Sequence, residues 1–102
     1  MTLPYSLTNF IPFRLYLVHG ESMEPAIRKG TKVLVNRLSG IRVGDVIALR
    51  HPQKNLVILK RITQIKDDGY VVEGDNKEKS SDSRQFGLIE KKLIIGKVVA
   101  IL

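Results

Sequence analysis

The chain has no cysteine, only two histidines and no long apolar run, and each lack closes a class of function. Without cysteine there is no disulfide framework, no thiolate metal site and no cysteine nucleophile, and nothing is said of redox compartment. His19 and His51 have neither the H-x-x-x-H spacing nor the companion carboxylate of a zinc site, so no metal and no other cofactor is expected. His19 stands three residues before Ser22, His51 precedes Pro52 in an apparent turn, and neither has the orienting acid of a Ser-His-Asp triad. Residues 1–18 are broken by Pro4, Asn9, Pro12 and Arg14. That excludes a spanning helix of about 20 apolar residues and the unbroken core of a signal peptide. The expected location is cytoplasmic, or peripheral at a membrane, with no transmembrane segment in this chain.

What is present fits one domain over 1–102, with 1–12 as an irregular N-terminal segment, since 102 residues support a single modest core. Lys and Arg number 17 against 10 Asp and Glu, and a net charge of +7 favours anionic surfaces. The cations are nevertheless dispersed, with Asp45, Asp67 and Asp75 between them, instead of being concentrated and interleaved with aromatics. No nucleic-acid partner is expected. Tyr5, Phe10, Phe13 and Tyr16 cluster near the start, which suits a packed first strand or a peripheral membrane contact. Nothing in the pattern fixes an oligomeric state.

The fold expected is mostly β. Short β-type runs at 13–19, 32–36, 45–50, 55–65, 69–73 and 94–102 are set off by Gly, Asp-Gly and Ser-rich punctuation. Asp67-Asp68-Gly69 reads as a hairpin turn joining Ile65 to Tyr70. One short helix is expected after Ser22, with Pro25 in its first turn and an end before Gly30. Residues 74–87 read as a long polar loop, and such a loop in a small domain is more often functional than merely connecting.

A nucleophilic serine needs a sharp turn, a base within hydrogen-bond reach and backbone donors aimed at the developing oxyanion. Gly20-Glu21-Ser22-Met23-Glu24-Pro25 offers the turn, although a serine there could equally cap a helix. Lys60 ends the run Leu56-Val57-Ile58-Leu59 and, in a strand, shares a face with Leu56, Ile58 and Ile62. Carried into apolar surroundings, a lysine loses its proton more easily, which is the condition for acting as a base. At a sheet edge the same lysine would simply snorkel to water.

Taken together, four blocks resemble the type I signal peptidase superfamily of Ser/Lys endopeptidases from about Val18 to Leu102. Gly-Glu-Ser-Met-Glu-Pro (20–25) resembles the nucleophile block, and Val-Gly-Asp-Val-Ile-Ala-Leu (43–49) the strand block that follows. Leu-Lys-Arg-Ile (59–62) is similar to the general-base block, and Gly74 to Gly87 to the last signature, with its polar spacing kept. The resemblance implies a coiled β-barrel-like catalytic fold. It also implies that Ser22 is the nucleophile, that neutral Lys60 is its base, and that Ser80 orients and desolvates the lysine. Asp82 and Arg84 would be structural, pairing with each other or with Asp75. The chain departs from the pattern in three places: Lys60 follows Ser22 by only 38 residues, no Gly-Pro-Gly-Asp turn follows Lys-Arg-Ile, and Gly20 stands where some members carry a hydroxyl as second oxyanion donor.

The implied activity is a cofactor-free serine endopeptidase that removes an N-terminal pro- or signal segment from a precursor protein. Without a membrane anchor, the chain is most similar to small family members that mature nickel-type superoxide dismutase. Signal-peptide cleavage beside an anchoring partner is the first alternative. A related self-cleaving peptidase of SOS-response repressors is a second, disfavoured by the 74–87 loop, and a non-catalytic basic β-barrel binding module a third.

Overall fold

A computed structural model describes residues 12–102. The expected irregular segment 1–12, with Tyr5 and Phe10, lies outside the described residues except for Pro12. Six strands form one antiparallel sheet: β1 (Phe13–Leu17), β2 (Lys32–Asn36), β3 (Val46–Arg50), β4 (Val57–Lys66), β5 (Gly69–Glu73) and β6 (Ile94–Ile101). Their order across the sheet is β1-β2-β6-β3-β4-β5, so β1 and β5 are the edges. The mostly-β class and the strand positions follow the β-branched runs in the sequence, with ends that differ by a residue or two.

The sheet is buried on both faces at its centre. Ala48 and Leu59, paired across β3 and β4, face a cluster holding Val18, Met23, Ile27, Val33 and Val35. Ile47, Leu49 and Ile62 face a second cluster with Val72 and Ile89. This is why β3 and β4 read as continuous apolar runs and not as a strict alternation. Lys60 pairs with Ile47, which places it on the face of the second cluster. The β4–β5 hairpin closes over Asp67 and Asp68, with Ile65 opposite Tyr70 as the Asp-Gly signal predicts. Among the described residues no non-glycine has a positive φ, so the turn's handedness falls on Gly69, whose φ is 157°.

The helix expected after Ser22 is absent. Residues 21–27 form consecutive turns, with Glu24 N–H donating to Glu21 O and Ile27 N–H to Met23 O. Lys29 N–H, which a continuing helix would direct to Pro25 O, donates instead to Glu24 Oε2 at 3.1 Å. Gly30 N–H then bonds Val18 O and Val18 N–H bonds Thr31 O, clamping the two ends of the segment together. Met23 and Ile27 are buried and pin the turns to the core. The single α-helix among the described residues, α1 (Ser83–Phe86), lies inside the 74–87 stretch that reads as a loop, preceded by a 3-10 turn at Lys77–Lys79. Asp82 and Gln85 form a capping box at its start, Asp82 N–H donating to Gln85 Oε1 and Arg84 N–H to Asp82 Oδ1.

Candidate active site

β4 presents two adjacent cations to opposite surroundings. Lys60 is only 4% exposed, and its Nζ donates to Ser80 Oγ at 2.9 Å. Ser80 Oγ in turn donates to Asp82 Oδ2 at 2.8 Å. Burial is the chief reason the lysine's pKa falls below its ordinary value. Asp82 pulls it back up, and Arg84 and Lys77 push it down again. A buried amine in this setting can be neutral, and a neutral amine is a base.

Asp82 is fully buried, and burial alone would raise its pKa. The hydrogen bonds outweigh that: Arg84 Nε and Nη2 donate to it at 2.9 and 3.1 Å, and Gly74 N–H at 2.9 Å. Together with Ser80 they hold the carboxyl far below the usual carboxylate range. The carboxylate therefore stays charged, with its oxygens occupied by donors other than the lysine. Asp82 and Arg84 pair with each other, whereas Asp75 pairs with neither. Its partner is Arg61, whose Nε and Nη2 bind the two carboxylate oxygens at 2.9 and 2.7 Å.

Ser22 lies in the turn after β1, partly buried and ahead of the buried Met23. Asn76 N–H donates to Ser22 O at 2.8 Å, and Asn76 Nδ2 to Glu21 O at 3.2 Å. Gly74 explains how the pieces fit. A Cβ on it would stand 2.7 Å from Ser22 O and would collide with the Ser80 side chain, so Ser22 and Ser80 meet where only glycine leaves room. No hydrogen bond joins Lys60 to Ser22; the lysine's bond goes to Ser80. Gly20 is exposed, with nothing within 4 Å of where its Cβ would be.

An apolar cleft of about 400 Å³ opens from Ser22 and Gly20 between the end of β1 (Tyr16, Leu17) with the following Val18 and the start of β4 (Val57, Leu59). Among the described residues β1 pairs only with β2, and β4 meets β5 only from Arg61 onward. Two stretches of strand edge that no other described strand pairs with therefore flank the cleft. His19 stands in it, exposed. His51 is engaged elsewhere: its Nδ1 accepts from Gln53 N–H and Lys54 N–H at 3.0 and 3.2 Å, and its ring meets Phe86 edge-on.

Arg61, Asn76 and Gly74 were assigned no role by sequence reasoning, although all three fall within recognisable blocks. Arg61 to Asp75 and Asn76 to Glu21 span 14 and 55 residues, and Gly74 meets Ser22 across the fold, so no local pattern encodes these contacts.

Comparison with known proteins places the chain in context. The family model described as Peptidase S24-like matches residues 12–99. Signal peptidase IB of Staphylococcus aureus strain Mu50 is 28% identical over 142 aligned positions, which cover 81% of this chain and 74% of that protein. Mitochondrial inner membrane protease subunit 1 of Xenopus tropicalis is 34% identical over 104 positions, covering 78% of this chain and 62% of the relative. On the match over residues 12–99, the chain belongs to the Peptidase S24-like family and is a serine-type peptidase.

Proposed function

We propose that the chain is an endopeptidase acting through a Ser22/Lys60 dyad on precursor proteins, removing an N-terminal pro- or signal segment. The observation that carries this reading is the buried Lys60 amine, 4% exposed, bonded to a hydroxyl and not to a carboxylate. Neutral Lys60 takes the proton of Ser22 Oγ as that oxygen attacks the scissile carbonyl. The Ser22 main-chain N–H faces the developing oxyanion, and Gly20 can add only backbone. The lysine passes the proton to the leaving amine. It then activates the water that hydrolyses the acyl-serine, so the proton count closes over one turnover.

Support for a peptide substrate comes from the cleft. An extended chain lying between β1 and the start of β4 would meet apolar walls and two strand edges unpaired among the described residues, the arrangement that recognises main chain by strand addition. The relatives' names, a signal peptidase and an inner-membrane protease subunit, support precursors as the substrate class. Phe13, Leu15 and Leu17, at 43%, 60% and 49% exposure, share the outer face of β1 beside the cleft and favour a precursor met at a membrane surface. Among the described residues no helix is long and apolar enough to cross a membrane.

The test is a survey of protein N-termini in host cells carrying the wild-type chain or Ser22→Ala. A pro-segment retained on a soluble precursor, such as that of a nickel-type superoxide dismutase, only in the mutant makes the chain a maturation protease. Signal segments retained on exported proteins make it a signal peptidase, and identical N-termini overturn the reading.

A further inference from the structure

Three consecutive residues at the start of the 74–87 stretch each touch a different part of the site. Gly74 N–H holds Asp82, the carboxylate behind Ser80 and Lys60. Asp75 is gripped at both oxygens by Arg61, the residue after Lys60 on β4. Asn76 reaches the other way, its main-chain N–H to Ser22 O and its side-chain amide to Glu21 O. The backbone from 74 to 76 thus ties the strand that carries Lys60 to the turn that carries Ser22. Within the turn the local bonds are Glu24 N–H to Glu21 O and Ile27 N–H to Met23 O, and neither holds the Ser22 carbonyl, which Asn76 takes.

We propose that Asn76 is a positioning residue. By holding the carbonyls of Glu21 and Ser22 it fixes the peptide planes on both sides of the Ser22 Cα, and so aims the Ser22 N–H and hydroxyl at the substrate carbonyl. The Glu21 carbonyl belongs to the same peptide unit as the Ser22 N–H and points the opposite way across it, so a donor on that carbonyl sets the direction of the N–H. Arg61, by fixing Asp75, sets where Asn76 stands relative to Lys60. The inference rests on Ser22 being the nucleophile, and it adds that the aim of the nucleophile is set from β4 and the segment after β5 and not by its own turn alone.

Asn76→Asp tests it, since the carboxylate keeps the size of the side chain but cannot donate to Glu21 O. Two readouts are taken on the full chain. The first is amide hydrogen exchange by NMR: the amides of Glu24 and of residue 76 should exchange about tenfold faster, the scale of one neutral hydrogen bond, while β3 and β4 amides stay unchanged. The second is cleavage of a pooled library of internally quenched peptides, with kcat and KM measured on the best-cleaved member. Here kcat should fall about tenfold or more, with KM within twofold and the same acid limb of the pH profile, because Lys60 is untouched. Unchanged exchange at Glu24 and residue 76 overturns the proposal whether or not any peptide is cleaved. So does a loss that appears in KM alone or comes with a displaced acid limb. Ser22→Ala is run beside it: full turnover there defeats Ser22 as nucleophile, whereas an inactive Ser22→Ala with a wild-type Asn76→Asp defeats only the positioning role.

Discussion

The Lys60 ammonium and the Asp82 carboxylate are kept apart by one hydroxyl, since Ser80 Oγ accepts from Lys60 Nζ at 2.9 Å and donates to Asp82 Oδ2 at 2.8 Å. A direct ion pair would hold the lysine charged. With Arg84 and Gly74 occupying the carboxylate, Asp82 raises the lysine's pKa less than burial lowers it.

Opposite shifts of the pH profile follow from those two charges. A dyad is active only where the lysine is neutral, so activity rises as pH climbs through the Lys60 pKa. Asp82 raises that pKa and Arg84 lowers it. Asp82→Asn should therefore move the acid limb of kcat/KM to lower pH, and Arg84→Met should move it to higher pH. Initial rates across pH check both, and a shift of the same sign in the two variants contradicts the electrostatics.

Removing either reacting group should abolish turnover by at least about 10⁴-fold without unfolding the chain. Lys60→Met should even stabilise it, by about 1–2 kcal/mol near neutral pH, because an apolar side chain replaces a buried amine. The sign follows from the lowered pKa: the folded chain loses a proton that the unfolded chain keeps, so wild-type stability grows as pH rises towards the ordinary lysine value of 10.5. The advantage of Lys60→Met should shrink over the same range. Urea denaturation at several pH values measures it.

Gly74→Ala should cost about 1–3 kcal/mol in stability and most of the activity, because the added methyl occupies the space shared by the Ser80 side chain and Ser22 O. Gly20→Ala is the control, since its Cβ would meet nothing within 4 Å. Equal losses at both glycines, in thermal melts and in turnover, would sink this account of the packing.

Acid should unfold the chain through Asp82 and Asp75, whose pKa values are lowered, that of Asp82 against the pull of burial and that of Asp75 chiefly by its hydrogen bonds to Arg61. Their stabilising effect is complete above the ordinary carboxylate range and is lost as pH falls below about 4 through their folded values. Asp82→Asn should lose about 2–3 kcal/mol at neutral pH and show a flatter acid limb of stability. A wild-type acid limb in that variant would show the charge to be unimportant.

Much of this was legible in the sequence, and the failures have physical reasons. The strands announce themselves through runs of Val, Ile and Leu, and the burial of Lys60 follows from its place among Ile58 and Ile62 on alternate positions of β4. The turn after Ser22 misled because Pro25 and Gly30 are good helix punctuation, yet the Lys29 amide is captured by the Glu24 side chain before a second turn can form. α1 was hidden in the polar stretch, although Asp82 and Gln85 carry the spacing of a capping box. Asp75 could not be paired with Arg61 from the sequence, because β4 and the segment after β5 are brought together only by the sheet.

The most direct measurement is the pKa of Lys60 itself, followed at its side-chain nitrogen by NMR in the Ser22→Ala protein. Titration clearly below the ordinary lysine value of 10.5 is the result expected for a general base held by burial. Titration at or above that value would contradict the dyad and leave Lys60 an ordinary cation.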